Sequence, residues 1–128
     1  MWSLEKLQDY ISYIKSEFEP KLQPEAHEIL SKYYQSQRSG DGRSAARTTI
    51  RLLESLIRLS QAHARIMFRN KVELQDAVMS VVMIESSVVS SSSLSIGSML
   101  HSDFSSFPDL DYIKYEQVVL RYACIRIL

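Results

Sequence analysis

The stretch AARTTIRLLESLIRLSQAHARIMFRN (45–70) carries Arg51, Arg58, Arg65 and Arg69, with Arg47 just ahead of them. At about 100° per residue these four gather on one side of a helix, with Glu54 beside them. Leu53, Leu56, Ile57, Ala64, Met67 and Phe68 gather on the other side, widened by Leu52, Leu59 and Ile66. A guanidinium is planar, permanently charged and able to meet two oxygens at once, so such an edge can hold a phosphate or a carboxylate. The plain alternative is a solvated helix face, with Glu54 and Arg58 as an i,i+4 pair worth about 0.2–0.5 kcal/mol. Arg51 speaks against that alternative. With Thr48 or Thr49 as N-cap it falls in the first turn, where unpaired N–H groups and the helix dipole already favour an anion. A cation there is unfavourable until something negative docks against it.

Other chemistries find little support. Three glycines, clustered only in SGDG (39–42), cannot make a phosphate-cradling GxxxxGK[ST] or GxGxxG loop. His27, His63 and His101 are scattered without metal-ligand spacing and read as surface or boundary residues, with His63 placed to cover the wide apolar face. Cys124 stands alone, so no internal disulfide forms, a reducing compartment fits, and nothing nearby activates it as a nucleophile. Serine is abundant but no GxSxG elbow accompanies it. Tyr33, Tyr34, Tyr112 and Tyr115 read as core-edge packing rather than platforms for stacking bases.

The elements that must position the arginines are helices. Only three Gly and three Pro interrupt 128 residues, and 45% apolar content supports one packed domain. Ser3 reads as the N-cap of a first helix, with Trp2 and Leu7 placed as a hydrophobic staple. Leu4, Leu7, Ile11 and Ile14 recur at three- and four-residue steps as one buried stripe, and Pro20 ends the helix. Pro24 opens a second helix through Ala26, Ile29, Leu30 and Tyr33 towards Gln37, followed by the SGDG loop. The arginine helix runs to about Arg69. A fourth takes Leu74, Ala77, Val78, Val81, Val82, Val88 and Val89; its β-branched residues make strand the competitor, but the length and spacing of the stripe favour helix. SSSSLSIGSMLHSDFSSFPD (90–109) is a serine-rich connector, and a last amphipathic helix extends from about Asp109 to Arg126.

Charge narrows the partners. Fifteen basic and fifteen acidic residues cancel, against a general electrostatic hold on nucleic acid. From Arg38 to Arg69, however, seven arginines face only Asp41 and Glu54. MWSLEKLQDY carries Glu5 and Asp9 and lacks the apolar core of a secretory signal, and no run reaches the roughly 18 apolar residues of a membrane helix. A soluble, intracellular protein without a membrane partner is the expectation.

The run TIRLLESLIRLSQAHA (49–64), followed by Gln75-Asp76-Ala77, closely resembles the helical lid of the AAA+ module in minichromosome maintenance (MCM) DNA helicases. The family pattern has the form T-x-R-x-L-E-[SA]-L-I-R-L-[SA]-x-A-x-A. The preceding segment, LQDYISYIKSEFEPKLQPEAHEILSKYYQSQR, is similar to the family's YI-x-YI…P-x-L…A…L…Y. The likeness covers about residues 2–89. The leading arginine of AARTTIRLLESLIRL and the ESS ending look nearest to the family's ninth-numbered paralogue, with the eighth next; both belong to repair and recombination.

The resemblance implies an all-α fold: an AAA+ lid-like bundle of about four helices over residues 1–89, a serine-rich linker at 90–108 and a C-terminal helical tail at 109–128. It implies that Arg51, in the T-x-R-x-L-E motif, is the sensor 2 arginine, reaching the γ-phosphate of ATP, with Mg, at a site shared between subunits. Arg58 matches the second arginine and is expected to orient Glu54 or brace the interface; Arg47 matches a narrower subset and is expected to add a phosphate or interface contact. Implied partners are other MCM subunits in a homo- or hetero-oligomeric ring and, through the parent protein, DNA, in the nucleus. Walker A, Walker B, sensor 1 and arginine-finger segments do not occur in the chain, so it is expected to be a lid fragment, inactive alone, of an ATP-dependent helicase. A stand-alone helical module docking on MCM subunits is the competing expectation, and a sequence-independent DNA binder the weakest. Glu73 stands where relatives often cap with Thr or Ser, which is expected to weaken that cap. YACIRIL (122–128) matches no helix of the family.

Overall fold

The computed structural model describes the backbone of residues 1–39, 50–87 and 107–125, and the side chains of 1–38, 50–85 and 107–121. Five helices account for nearly all of it: α1 (Leu4–Glu17), α2 (Pro24–Ser39), α3 (Ile50–Ile66), α4 (Leu74–Ser87) and α5 (Pro108–Ile125). The Thr48/Thr49 cap, glycines 40 and 42, Val88 and Val89 of the fourth stripe, His101 and most of the serine-rich connector lie outside the described residues, as do Arg47 and the Cys124 side chain.

α4 is the centre of the bundle. It packs against α3 on one side and α2 on another, and α5 lies across α2 and α4. Ala77, Val78 and Val81 are fully buried with Leu30 of α2, Leu56 and Ala64 of α3 and Val119 of α5. This burial holds as a helix a valine-rich segment whose intrinsic preference is weak. Ser60 and Ser80 are also fully buried, each returning its hydroxyl to the carbonyl three residues earlier, Ile57 and Ala77. Small residues at these positions let α3 and α4 approach closely without leaving a polar atom unsatisfied.

Two very short strands organise the base of the bundle. β1 (Lys21–Leu22) and β2 (Lys71–Val72) pair in parallel, Lys21 opposite Lys71 and Leu22 opposite Val72. Each leads directly into a helix, so the starts of α2 and α4 lie side by side. Two residues per strand is too little to leave a periodic signal in sequence.

α1 departs from the expectation of a buried stripe. Ser3 caps it as read, accepting from the Lys6 N–H at 3.3 Å. Of the stripe, however, only Ile14 is buried, at 3% exposure, while Leu4, Leu7 and Ile11 are 70, 43 and 40% exposed. The helix meets the body at α3 from its middle onward, where Tyr10 donates to the Ile66 carbonyl at 2.6 Å, and residues 4–9 ahead of it are exposed. Trp2 packs edge-on against Tyr10 at 5.4 Å. Full burial of one such aliphatic side chain is worth about 1.5–3 kcal/mol, roughly half of which α1 forgoes across these three positions.

Candidate functional site

α3 is about 26 Å long, and its arginines divide into two sets. Arg51 and Arg58 are exposed and engage no described side chain or backbone group. No acidic residue occupies the first turn beside Arg51. Glu54 is exposed and forms no ion pair with Arg58 among the described residues, so the i,i+4 pair expected from spacing is not made. Two solvated charges gain too little at the surface to hold both long side chains in one geometry.

Arg65 and Arg69 behave differently, which corrects the reading of four arginines on one basic edge. Arg65 turns its Nε to the Phe18 carbonyl at 2.9 Å, satisfying a group at the end of α1. Arg69 lies beyond the helix, because α3 ends at Ile66 rather than at Arg69. Phe68 N–H donates to Arg65 O and Arg69 N–H to Ala64 O, both at 2.9 Å, with Phe68 at φ 63°. These paired bonds around a left-handed residue are a Schellman termination, normally built with glycine. The turn also carries Met67 and Phe68 out of the apolar face expected of them; both are about half exposed.

Once past that turn, the Arg69 guanidinium reaches the Glu73 carboxylate, Gln75 Oε1 at 3.2 Å and Asp76 Oδ1 at 3.0 Å. Asp76 is fully buried and is the hub of this end of the molecule. It also meets His63 Nδ1 at 2.6 Å and accepts from the Glu73 N–H at 2.8 Å. That last bond is the return half of a capping box, an N3 carboxylate serving the N-cap amide. α4 therefore starts well despite Glu73. His63, read as a boundary residue over the apolar face, is a half-buried partner of Asp76. The signal for this node was present in the acid three residues after the cap; that His63 and Arg69 converge on it depends on the turn at Phe68.

A cleft of about 600 Å³ opens beside the paired helix starts, lined by Gln23, Lys71, Glu73, Gln75, Tyr112 and Glu116 among others. Burial, reinforced by the Glu116 charge, pushes the Tyr112 phenol up to about 12. Tyr112 and Tyr115 pack on the core as edge residues, and Tyr33 is buried, donating to Glu85. Among the described residues, no three His, Cys, Asp or Glu side chains gather as metal ligands, and no helix is long and apolar enough to cross a membrane.

Arg51 and Arg58 thus give α3 an unengaged basic surface, on a helix braced at its other end. Comparison with known proteins gives this helix a context. Residues 5–88 match the family model of the MCM AAA-lid domain. A protein named probable DNA helicase MCM9 from Oryza sativa subsp. indica is 51% identical over 114 residues, 88% of this chain but 17% of the relative. Its namesake from Arabidopsis thaliana is 51% identical over 116 residues, 90% of this chain and 18% of the relative. The Xenopus laevis DNA replication licensing factor mcm4-B is 48% identical over 71 residues, 55% of this chain and 8% of the relative. The chain therefore spans less than a fifth of the length of these relatives. With α2 to α4 and all but the first residue of α1 inside the matched region, and the bundle as described, the chain belongs to the MCM AAA-lid domain family.

Proposed function

We propose that this chain acts as the lid of an ATP-dependent DNA helicase of the MCM9 type, with Arg51 contacting the γ-phosphate of ATP held by a neighbouring MCM subunit. The observation that carries the reading is Arg51 itself: an exposed guanidinium in the first turn of α3, without a partner among the described residues and without an acidic neighbour in that turn. A cation so placed works against its own helix unless an anion arrives. A triphosphate is such an anion, and a guanidinium meets its oxygens bidentately. ATP, with its Mg, supplies the phosphoryl group and its charge; Arg51 supplies fixed positive charge where negative charge develops in transfer.

Arg58 stands two helical turns along the same exposed surface, about 10 Å from Arg51, and in this reading it braces the subunit interface. Arg47, ahead of α3, adds a further contact there. The remaining nucleotide contacts, the partner subunits of a ring and the grip on DNA belong to other parts of the parent protein. The proposed setting is nuclear, in replication and repair.

The test is Arg51→Ala in the full-length rice relative carrying this chain in place of its own matching segment. ATPase activity is expected to fall by about 10²–10³-fold, with no loss of thermal stability and unchanged oligomeric state. Unaltered turnover removes Arg51 from the nucleotide site.

A second reading draws on the exposed stripe of α1. The chain alone, without catalytic activity, docks on MCM subunits through apolar surface. Pull-down of MCM subunits by the isolated chain, lost on Leu7→Ser, is the outcome that separates it from the first.

A further inference from the structure

α5 is held to the bundle differently from α1 and α3. Tyr10 and Arg65 key α1 and α3 together through main-chain carbonyls, and Gln61 Nε2 of α3 donates to the Pro20 carbonyl at 3.3 Å. Among the described residues, the polar contacts of α5 side chains stay within α5: Tyr112 with Glu116, and Lys114 with Asp111 at 3.7 Å. What reaches α2 and α4 is apolar. Tyr112, Tyr115 and Val119 stand at i, i+3 and i+7, flanked by Val118 and Leu120, and pack on the core cluster of Leu30, Val78 and Val81. That spacing, laid across two neighbouring helices, is how an amphipathic helix occupies a groove. Val119 is buried at 2% exposure, and every other described side chain of α5 keeps part of its surface in water. An element with so few buried contacts belongs to the low end of local stability.

The limits of the family add a second observation. The MCM AAA-lid model ends at residue 88, so α5 lies outside the domain that supplies α2 and α4. The Arabidopsis thaliana match covers 90% of this chain and therefore, wherever it begins, runs past that limit and into α5. We propose that the α2–α4 face of this lid is a groove for an amphipathic helix and that α5 of the same chain is its resident occupant, a strap that closes the groove while seated and opens it on release. A competing helix must then match the strap, with aromatic side chains at i and i+3 and an aliphatic one at i+7. The proposal concerns α2, α4 and α5 alone and stands or falls independently of Arg51.

The experiment uses the full 128-residue chain and a fluorescein-labelled peptide of residues 107–123. Val119→Asp puts a charge at the buried anchor of the strap and frees the groove. By fluorescence anisotropy, the peptide is expected to bind the Val119→Asp chain about ten-fold or more tightly than the unsubstituted chain. The same peptide carrying Val119→Asp is expected to bind neither. Amide exchange in α5 is expected to quicken about ten-fold in the variant while α3 stays protected. Equal affinity for the two chains overturns the proposal: if tight, α5 does not fill the groove, and if absent, the face does not take a helix. Tyr112→Ser trims a half-buried anchor without burying a charge, and is expected to give an intermediate gain in peptide affinity. Loss of α3 protection in both variants makes α5 a core helix and overturns the strap. An unsubstituted chain that is dimeric and admits the peptide only on dilution has its groove filled by a second copy, which overturns occupation in cis.

Discussion

The two ends of α3 carry the same residue type and use it in opposite ways. At the C-terminal end Arg65 and Arg69 are consumed by the fold, one on the Phe18 carbonyl and one on the buried carboxylate of Asp76. In the first turn Arg51, and at mid-helix Arg58, are consumed by nothing described. Cations belong naturally at a helix C-terminus and are misplaced at its N-terminus. The engaged arginines therefore sit where local electrostatics wants them, and the unengaged Arg51 sits where it does not. Spacing cannot make this distinction, because both sets fall on one side of a helical wheel. The division between structural and available charge is a property of what surrounds each end.

The most damaging way to break the braced end is Asp76→Ala. It strands His63, Arg69 and the Glu73 amide together, leaving a charge without its buried partner. A loss of about 3 kcal/mol is expected, at the low end for removing one member of a buried ion pair because Arg69 is partly solvated. Urea unfolding of the isolated chain measures it; a loss below 1 kcal/mol means that water replaces the carboxylate without cost. The same substitution should leave the exposure of Arg51 unchanged.

A smaller effect is expected from Arg65→Ala, which removes one charged hydrogen bond to a main-chain carbonyl at the α1–α3 junction. Hydrogen bonds to charged groups contribute about 1.5–3 kcal/mol. A partly exposed carbonyl can turn to water, so a loss near 1 kcal/mol is expected. It should come with faster amide exchange in α1, because Arg65 joins α1 to the body. Uniform exchange across all helices would place the bond's contribution elsewhere.

Much of the bundle was legible because helical period, the Ser3 cap and Pro24 act locally. The four helices that carry the lid motif and the last one at Pro108 all follow from such signals. What escaped depended on contacts distant in sequence. The exposure of Leu4, Leu7 and Ile11 cannot be read from their spacing, since periodicity reports that a face is apolar and not whether a partner is present. The helical period runs on to Arg69, three residues past the end of α3, because Phe68, not glycine, takes the left-handed position. The turn there takes Arg69 off the helix face that the period implies and onto Asp76. At the candidate site, the singularity of Arg51 was legible from the helix dipole alone. The loss of the Glu54–Arg58 pair was not, because a surface ion pair is decided by small differences in solvation.

The most delicate way to sharpen the comparison is Arg51→Gln in the isolated chain. Removing an engaged arginine must cost stability; removing one whose charge opposes its helix must not. With the cation gone from the first turn of α3, the unpaired N–H groups there no longer face like charge, and glutamine keeps nearly the same helix propensity. Stability is expected to rise by about 0.3–1 kcal/mol at low ionic strength. The gain should shrink towards zero in about 1 M salt, where the screening length is near 3 Å. Urea midpoints at the two salt concentrations read both the sign and the screening. A loss of stability at low salt means that Arg51 already has a partner within the chain, and the contrast between the two ends of α3 then disappears. A gain that persists in high salt points instead to side-chain packing, and takes the electrostatic argument for a docking anion with it.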